Sequence, residues 1–489
     1  MSRRILAGGL AMATAVTLTT LPAEAERTVG FPSANFPLGN RPVPTKTMTA
    51  VSQGINLYTV KAGTHTDGYT LTFLMPNGLD YGSLATAELV AAEVEAAAGE
   101  SPSLQEVIRP AVADAPAQTV YMVRVGLWPF KHKKKAEKAA EEFKEAGFKV
   151  KLDYLGDDGL KTTGPWDARV VIIDPRRFRG SYAASVGTSV AKRETVSSMV
   201  RASKALVGIN GGFFNIHTSP ALRGEPVGVS VVGGRLLSEA VPGRSAVVLK
   251  GRTAKITELE TRVTATSQDG TKAKVDGVNR AAATDELILY TEEYGAKTPT
   301  GGTDAVLDPT GKVIRLRTSG AAVPRGTRVL HGNGVAGDWL NEHAWQDWTV
   351  AVDTKLVDLR TRRAIELTPD LHVMAGSVGL VRNGRIAITA KRDGHNSMNM
   401  ILRRHPRTLL GTTKDGSLIL ATIDGRRPGD TIGANFVEAA QFMRWLGATQ
   451  AINLDGGGST AMVVGRKVVN RPSDGAERAI GDALLVLPT

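Results

Sequence analysis

Leu418-Ile419-Leu420-Ala421-Thr422-Ile423-Asp424-Gly425-Arg426 is the stretch on which the fold turns. Six almost wholly apolar residues run into Asp-Gly. A run this short between turn signals reads as a strand, and the lack of a polar alternate predicts burial on both faces. Asp-Gly is a hairpin signal, since both residues tolerate the left-handed backbone that tight turns need. The same grammar repeats upstream, at Gly233-Gly234, Asp269-Gly270, Asn383-Gly384 and Asp415-Gly416. From about Trp166 to the end, short strands alternate with such turns. Two segments there have helical spacing, Arg193 to Ser203 and Ala434 to Leu446. Strands dominate, helices are few, and strand–helix alternation is missing. The expectation is an α+β, strand-rich domain over 166–489.

Upstream, the texture changes. Arg3 and Arg4 precede a short uncharged stretch, and Ala23-Glu24-Ala25 has the form of a cleavage site, so 1–25 reads as a signal peptide. The expected product is secreted, extracellular or cell-wall associated, with no stable membrane insertion after processing. Residues 26–50 hold Pro32, Pro37, Pro42 and Pro44 and read as a linker. Residues 51–117 give two short strands and a helical spacing over Ser83 to Ala98, a region of uncertain fold. Next come the strand Val120–Gly126, a helix from Lys134 to Glu145 closed by Gly147, and the strand Phe148–Leu155. This strand, helix and strand, with "YMVRVGLW" and "EAGFKVKLDY", resembles half of a SPOR domain, a small α/β module that binds peptidoglycan. The resemblance covers 118–165 and implies a peptidoglycan partner.

Composition narrows the chemistry. The 489 residues include no cysteine, which removes thiol catalysis, zinc–thiolate sites and disulfides. The net charge of +12 suits an anionic partner. No basic run interleaved with aromatics points to nucleic acid, and in an exported protein the natural polyanions are phosphorylated glycans.

Four motifs carry candidate chemistry. In Asn453-Leu454-Asp455-Gly456-Gly457-Gly458-Ser459, an apolar strand delivers a carboxylate to three glycines, whose N–H groups can form an anion-binding nest. Gly208-Ile209-Asn210-Gly211-Gly212-Phe213 sets Asn210 at a second strand end, where it orients a sugar or merely holds a turn. Arg407, in His405-Pro406-Arg407, and Arg426 are candidates to clamp phosphate with paired donors. Asn470-Arg471-Pro472 and Glu477-Arg478 add Arg471, Arg478 and a second carboxylate, and glycoside hydrolysis commonly uses two. No cofactor is expected. Asp424, Asp455 and Asp482 are hard oxygen ligands that leave calcium or magnesium open.

Taken in order, "INGGFFN", "PVG" at 226–228, "HPRTLLGTTKDG", "ATIDGR", "NLDGGGSTAM" and "VVNRPSDGAERAIGDALLV" resemble the phosphodiester glycosidase family over about 167–489. Ala375 to Gly379 and Ala479 depart from the family pattern, in loop shape more than chemistry. The resemblance implies a glycosidase that cleaves the C–O bond between an anomeric carbon and a phosphodiester. Its catalytic groups would be Asp455 and Glu477. Its substrate-binding groups would be Asn210, Gly211, Arg407, Asp424, Arg426, Gly456, Gly457, Gly458, Ser459, Arg471 and Arg478. The substrate class would be N-acetylglucosamine-type sugar-1-phosphodiesters or phosphorylated envelope glycans. The rival expectations are a non-catalytic wall-glycan binder and a phosphodiesterase that breaks P–O.

Overall fold

The computed structural model describes residues 30–99, 101–216 and 223–489. The expected signal peptide lies outside them. The strand Leu418–Ile423 is central to an eight-stranded antiparallel sheet, the first sheet. All six of its residues are buried, as its apolar run requires. Leu418 and Leu420 enter a core shared with Ile209, Met374 and Leu484, while Ile419, Ala421 and Ile423 enter another beneath Phe436 and Phe442. Alternate side chains of one strand thus serve two cores, the period-2 rule applied to a strand with no wet face.

The first sheet runs in the order 45–52, 55–62, 166–173, 418–423, 407–412, 450–453, 378–382, 385–386. Against it lies a five-stranded sheet, in the order 467–468, 462–464, 207–210, 483–487, 181–185. A further eight-stranded sheet centred on 245–250 and 253–267, and a five-stranded one spanning 277–332, complete the strand-rich part. Six α-helices occur among the described residues: α1 Leu84–Ala98, α2 Lys133–Glu145, α3 Val196–Ser203, α4 Gly334–His343, α5 Met398–Leu402 and α6 Phe436–Trp445. The fold is α+β with few helices, and α2, α3 and α6 lie where the sequence spacing puts them. No helix among the described residues is long and apolar enough to cross a membrane.

The N-terminal third differs from expectation in two ways. Residues 45–52 are not linker but a strand, paired with 55–62, which pairs in turn with 166–173 along its whole length. The first sheet therefore runs straight through the expected boundary at 166. The SPOR-like segment is likewise not a module apart. Its strands Gln118–Trp128 and Val150–Tyr154 join Ser103–Arg109 and Tyr69–Phe73 in a four-stranded sheet carrying α1 and α2. Tyr69, Ala136 and Tyr154 of this α/β layer are buried in the same core as Trp166, Ile423 and Phe436. Shared burial of that kind ties the layer to the rest of the chain.

Candidate active site

Asp455 sits where the first sheet meets the five-stranded one. The strand Gln450–Asn453 runs out beside 407–412, and the Leu454 N–H still donates to Thr408 O at 2.8 Å. One residue later the Asp455 N–H donates to Gly211 O at 2.9 Å, so the backbone has crossed to the other sheet. Asn210 secures this crossing. Its Nδ2 donates to Asp455 O at 2.9 Å, and its Oδ1 accepts from Thr408 Oγ1 at 2.6 Å and from Ala461 N at 3.1 Å. Asn210 is fully buried and spends its amide on the protein. The expectation that it orients a sugar is corrected: it positions Asp455.

The glycines exist for what lies against them. A Cβ on Gly457, whose φ is +59°, would stand 3.1 Å from the Arg426 guanidinium. A Cβ on Gly458 would stand 2.2 Å from the Asp474 carboxylate and closer still to Arg478. The run therefore seats two arginines close to the turn that begins at Asp455. Burial pushes Asp455 up to about 6, against the Ser459 hydroxyl, the Gly456 N–H, Arg478 and Arg426, which pull it down. Asp482 is the nearby second carboxylate. Burial pushes it up to about 7, and the neighbouring Asp455 adds to the rise, while the Gly212 N–H holds Oδ1 at 2.9 Å. A carboxyl raised by burial and by a neighbouring carboxylate holds its proton to near neutrality.

Arg407 and Arg426 lie close enough for their charges to repel, though they sit in unequal surroundings. Arg407 is completely buried, donates to Ala434 O at 2.8 Å and Met400 O at 3.1 Å, and lies 4.3 Å from the Phe436 ring centre. Burial and then the charge of Arg426 lower its pKa to about 9. Arg426 is exposed, stands in left-handed backbone at φ +57°, and contacts His405 Nδ1 at 3.4 Å. Neither arginine makes an ion pair among the described residues. Two guanidiniums that repel one another with no carboxylate between them are a place where an anion relieves a cost. His405 and His395 border this cluster, and burial holds them neutral, near 3 and 4 respectively. Arg244 approaches from the second large sheet and donates to Val227 O at 2.8 Å. It feels His395, whose ring packs 4.6 Å from that of Phe213.

Other expected residues serve elsewhere. Arg471 is committed to Asp167 at 2.9 Å and Asp430 at 2.6 Å, so it is a structural cation rather than a phosphate ligand. Asp424 accepts from Asn470 Nδ2 at 3.1 Å and Arg471 N at 2.9 Å within the same cluster. Glu477 binds the first turn of α3, its Oε1 accepting from Ser197 N at 2.9 Å and its Oε2 from Ser197 Oγ at 2.5 Å. A carboxylate at a helix N-terminus is stabilised as an anion there. Both oxygens are thus engaged by α3, and the carboxyl that feels the charge of Asp455 is Asp482. Among the described residues no group of three acidic or histidine side chains is spaced to hold a metal, so Asp424, Asp455 and Asp482 do not form one cation site. A cavity of about 820 Å³ lies beside segment 226–228. Its cations are paired, Arg280 with Glu239, Arg262 with Glu260 and Lys274 with Asp276, so it offers no unpaired cation cluster of this kind.

Comparison with known proteins follows the same outline. Residues 301–487 match the family model described as phosphodiester glycosidase. The chain is 32% identical over 116 residues to the mouse N-acetylglucosamine-1-phosphodiester alpha-N-acetylglucosaminidase, and 33% over 117 residues to the human one. Each match covers 22% of this chain and 22% of the relative, so the chain spans about a fifth of the length of these relatives. A crystal structure from Burkholderia pseudomallei is similar over 94% of this chain and 99% of its own, with a TM-score of 0.81 and 27% identity. The similarity to phosphodiester glycosidases, a hydrolase family, is at the level of the family.

Proposed function

We propose that this chain is a secreted glycosidase that hydrolyses the bond between a sugar's anomeric carbon and a phosphodiester, with Asp455 at the reaction centre. One observation carries the reading: a half-buried carboxylate raised to about 6 beside Arg426, which like Arg407 makes no ion pair among the described residues. The phosphodiester lies against Arg426, with Arg407 supplying charge from beneath and Arg478 flanking the glycine turn. The sugar lies toward Asp455. Phosphate departs readily as an anion, so the leaving group needs little protonation, and a single carboxylate acting on the anomeric side suffices. Asp482 retains a proton that Asp455 gives up, which keeps one carboxyl ionised at neutral pH. Retention of anomeric configuration would assign Asp455 as nucleophile, and inversion as base toward water. The relatives named for N-acetylglucosamine-1-phosphodiesters support that sugar as the first to try.

The decisive assay incubates the full chain with α- and β-linked sugar-1-phosphodiesters in ¹⁸O-water. Reducing sugar carrying the label is expected, lost at least about 100-fold in Asp455→Asn, the scale of a missing acid–base or nucleophilic group. Label in the phosphate instead would make the protein a phosphodiesterase that breaks P–O. Wild-type turnover by Asp455→Asn would remove Asp455 from the reaction.

A further inference from the structure

The cavity of about 820 Å³ beside segment 226–228 is walled by residues 260–264 of the strand Thr253–Ser267, by segments 238–242 and 274–278, and by Glu225 and Arg280. Asp455 and the arginine cluster are not part of its lining. Pro226, Val227, Val241, Pro242, Val263 and Val278 give it aliphatic surface. We propose that it binds an organic ammonium ion with an aliphatic body, whose charge pairs with the Glu225 carboxylate.

This site goes beyond the glycosidase reading and does not depend on it. Glu225 supplies the first argument. Only 4% of the residue is exposed, and its Oε1 is buried with no hydrogen-bond partner among the described residues. A buried oxygen in that state is costly until a donor reaches it. The backbone around it is fixed: Asn215 N–H donates to Glu225 O at 2.8 Å, and Val227 N–H to Phe213 O at 2.7 Å. Charge supplies the second argument. Arg280 is committed to Glu239 and Glu286, Arg262 to Glu260 and Lys274 to Asp276. Among the described residues, Glu225 is the wall carboxylate without an ion pair. An anion entering here would meet cations already neutralised, and a neutral alcohol would leave the carboxylate uncompensated. Burial pushes Glu225 up to about 7, and Glu239 adds to the rise, against a hydrogen bond with Asn215 and the charge of Arg280. An ammonium ion would take the place of that proton. Shape supplies the third argument. The volume falls within the roughly 300–1,000 Å³ usual for small-molecule sites. Val227 and Val241 are exposed, so the aliphatic surface is open to a hydrocarbon body arriving from solvent.

Calorimetric titration of the full chain with n-hexylammonium, hexanol and hexanoate tests the site and needs no turnover. Hexylammonium is expected to bind at least about tenfold more tightly than either of the others, and Glu225→Gln to weaken it at least about tenfold. No binding of hexylammonium, equal affinity for hexylammonium and hexanol, or equal affinity in wild type and Glu225→Gln would overturn the proposal. Should Glu225→Gln fail to fold, the pH profile of the wild type decides. The groups that act on Glu225 are Arg280 and Glu239, which pair with one another, and Tyr290 and Tyr294, which burial holds above their ordinary range and so keeps protonated. Affinity for hexylammonium is therefore expected to rise about tenfold from about pH 6 to about pH 8, as Glu225 gives up its proton. A flat profile would overturn the assignment to Glu225.

Discussion

Arg426 shows at one residue how a candidate site group is held against local backbone preference. A non-glycine residue at φ +57° occupies a backbone region that glycine enters without strain. Its guanidinium lies over Gly457 and meets His405 rather than a carboxylate. Arg426→Gly is therefore expected to fold with a Tm at or slightly above that of wild type, while turnover falls at least about 100-fold, as read by thermal melt and reducing-sugar assay. The carboxyl pair gives a second prediction. Asp455 and Asp482 are raised to about 6 and 7 in the folded chain, above their ordinary value of 3.8. The folded state thus binds more protons than the unfolded one between about pH 4 and 7, and this pair lowers stability as pH rises through that window. Asp482→Asn should flatten the decline, so that its Tm exceeds that of wild type at pH 8 by more than at pH 4. A denaturation series across pH checks this, and an unchanged difference would place the cost elsewhere. Much of the residue-scale site is legible in sequence, because Asp455, its glycines, Arg407 and Arg426 sit in motifs at strand ends. Glu477 and Arg471 look equally chemical in the string. Only the fold reveals that Ser197 and Asp430 have already claimed them.

Among elements, α6 bears directly on the site. Asn435 caps it, accepting from Glu438 N at 2.8 Å while Glu438 Oε2 accepts from Asn435 N at 3.0 Å, a reciprocal capping box. Glu438 also holds the buried Arg404 at 2.7 Å. Just before the cap, Ala434 offers the carbonyl that Arg407 needs. Asn435→Ala should cost about 1 kcal/mol, the usual worth of such a cap. Glu438→Ala should cost about 3 kcal/mol or more, because it strands a buried guanidinium as well. Urea denaturation separates the two, and equal losses would mean that the Arg404 pair contributes nothing. This helix is readable from its apolar stripe and Gly447. The element α4 is not: its buried face is Ala336, Gly337 and Leu340, too small and glycine-rich to leave a hydrophobic period. Met398–Leu402 is too short to show a period at all.

At the scale of the molecule, the N-terminal third is built into the shared core. Phe36 packs on Trp166 at 5.5 Å and on Phe442 at 5.8 Å, and the strand 55–62 covers 166–173. A chain cut to 166–489 is expected to lose cooperative melting or to aggregate, because it bares an unpaired strand edge and the aromatic face of α6. A chain cut to 30–489 should melt as the full one does. Circular dichroism melts of the two decide it. Local sequence gives the α/β layer its strands and helices, yet the attachment is invisible there, since it depends on contacts far apart in the chain, as where Arg403 meets Asp153 and Asp158.

The order of strands in the first sheet also sets a timetable. Residues 55–62 pair with 166–173, which find their other partner only at 418–423, and 407–412 waits for 450–453. Contact order is high, so loop-closure entropy is met before the pairings that reward it, and folding is slow. During synthesis the nascent chain cannot close its central sheet until nearly all of it has left the ribosome. Its apolar strands stay unpaired throughout that interval, open to aggregation unless a holding chaperone covers them.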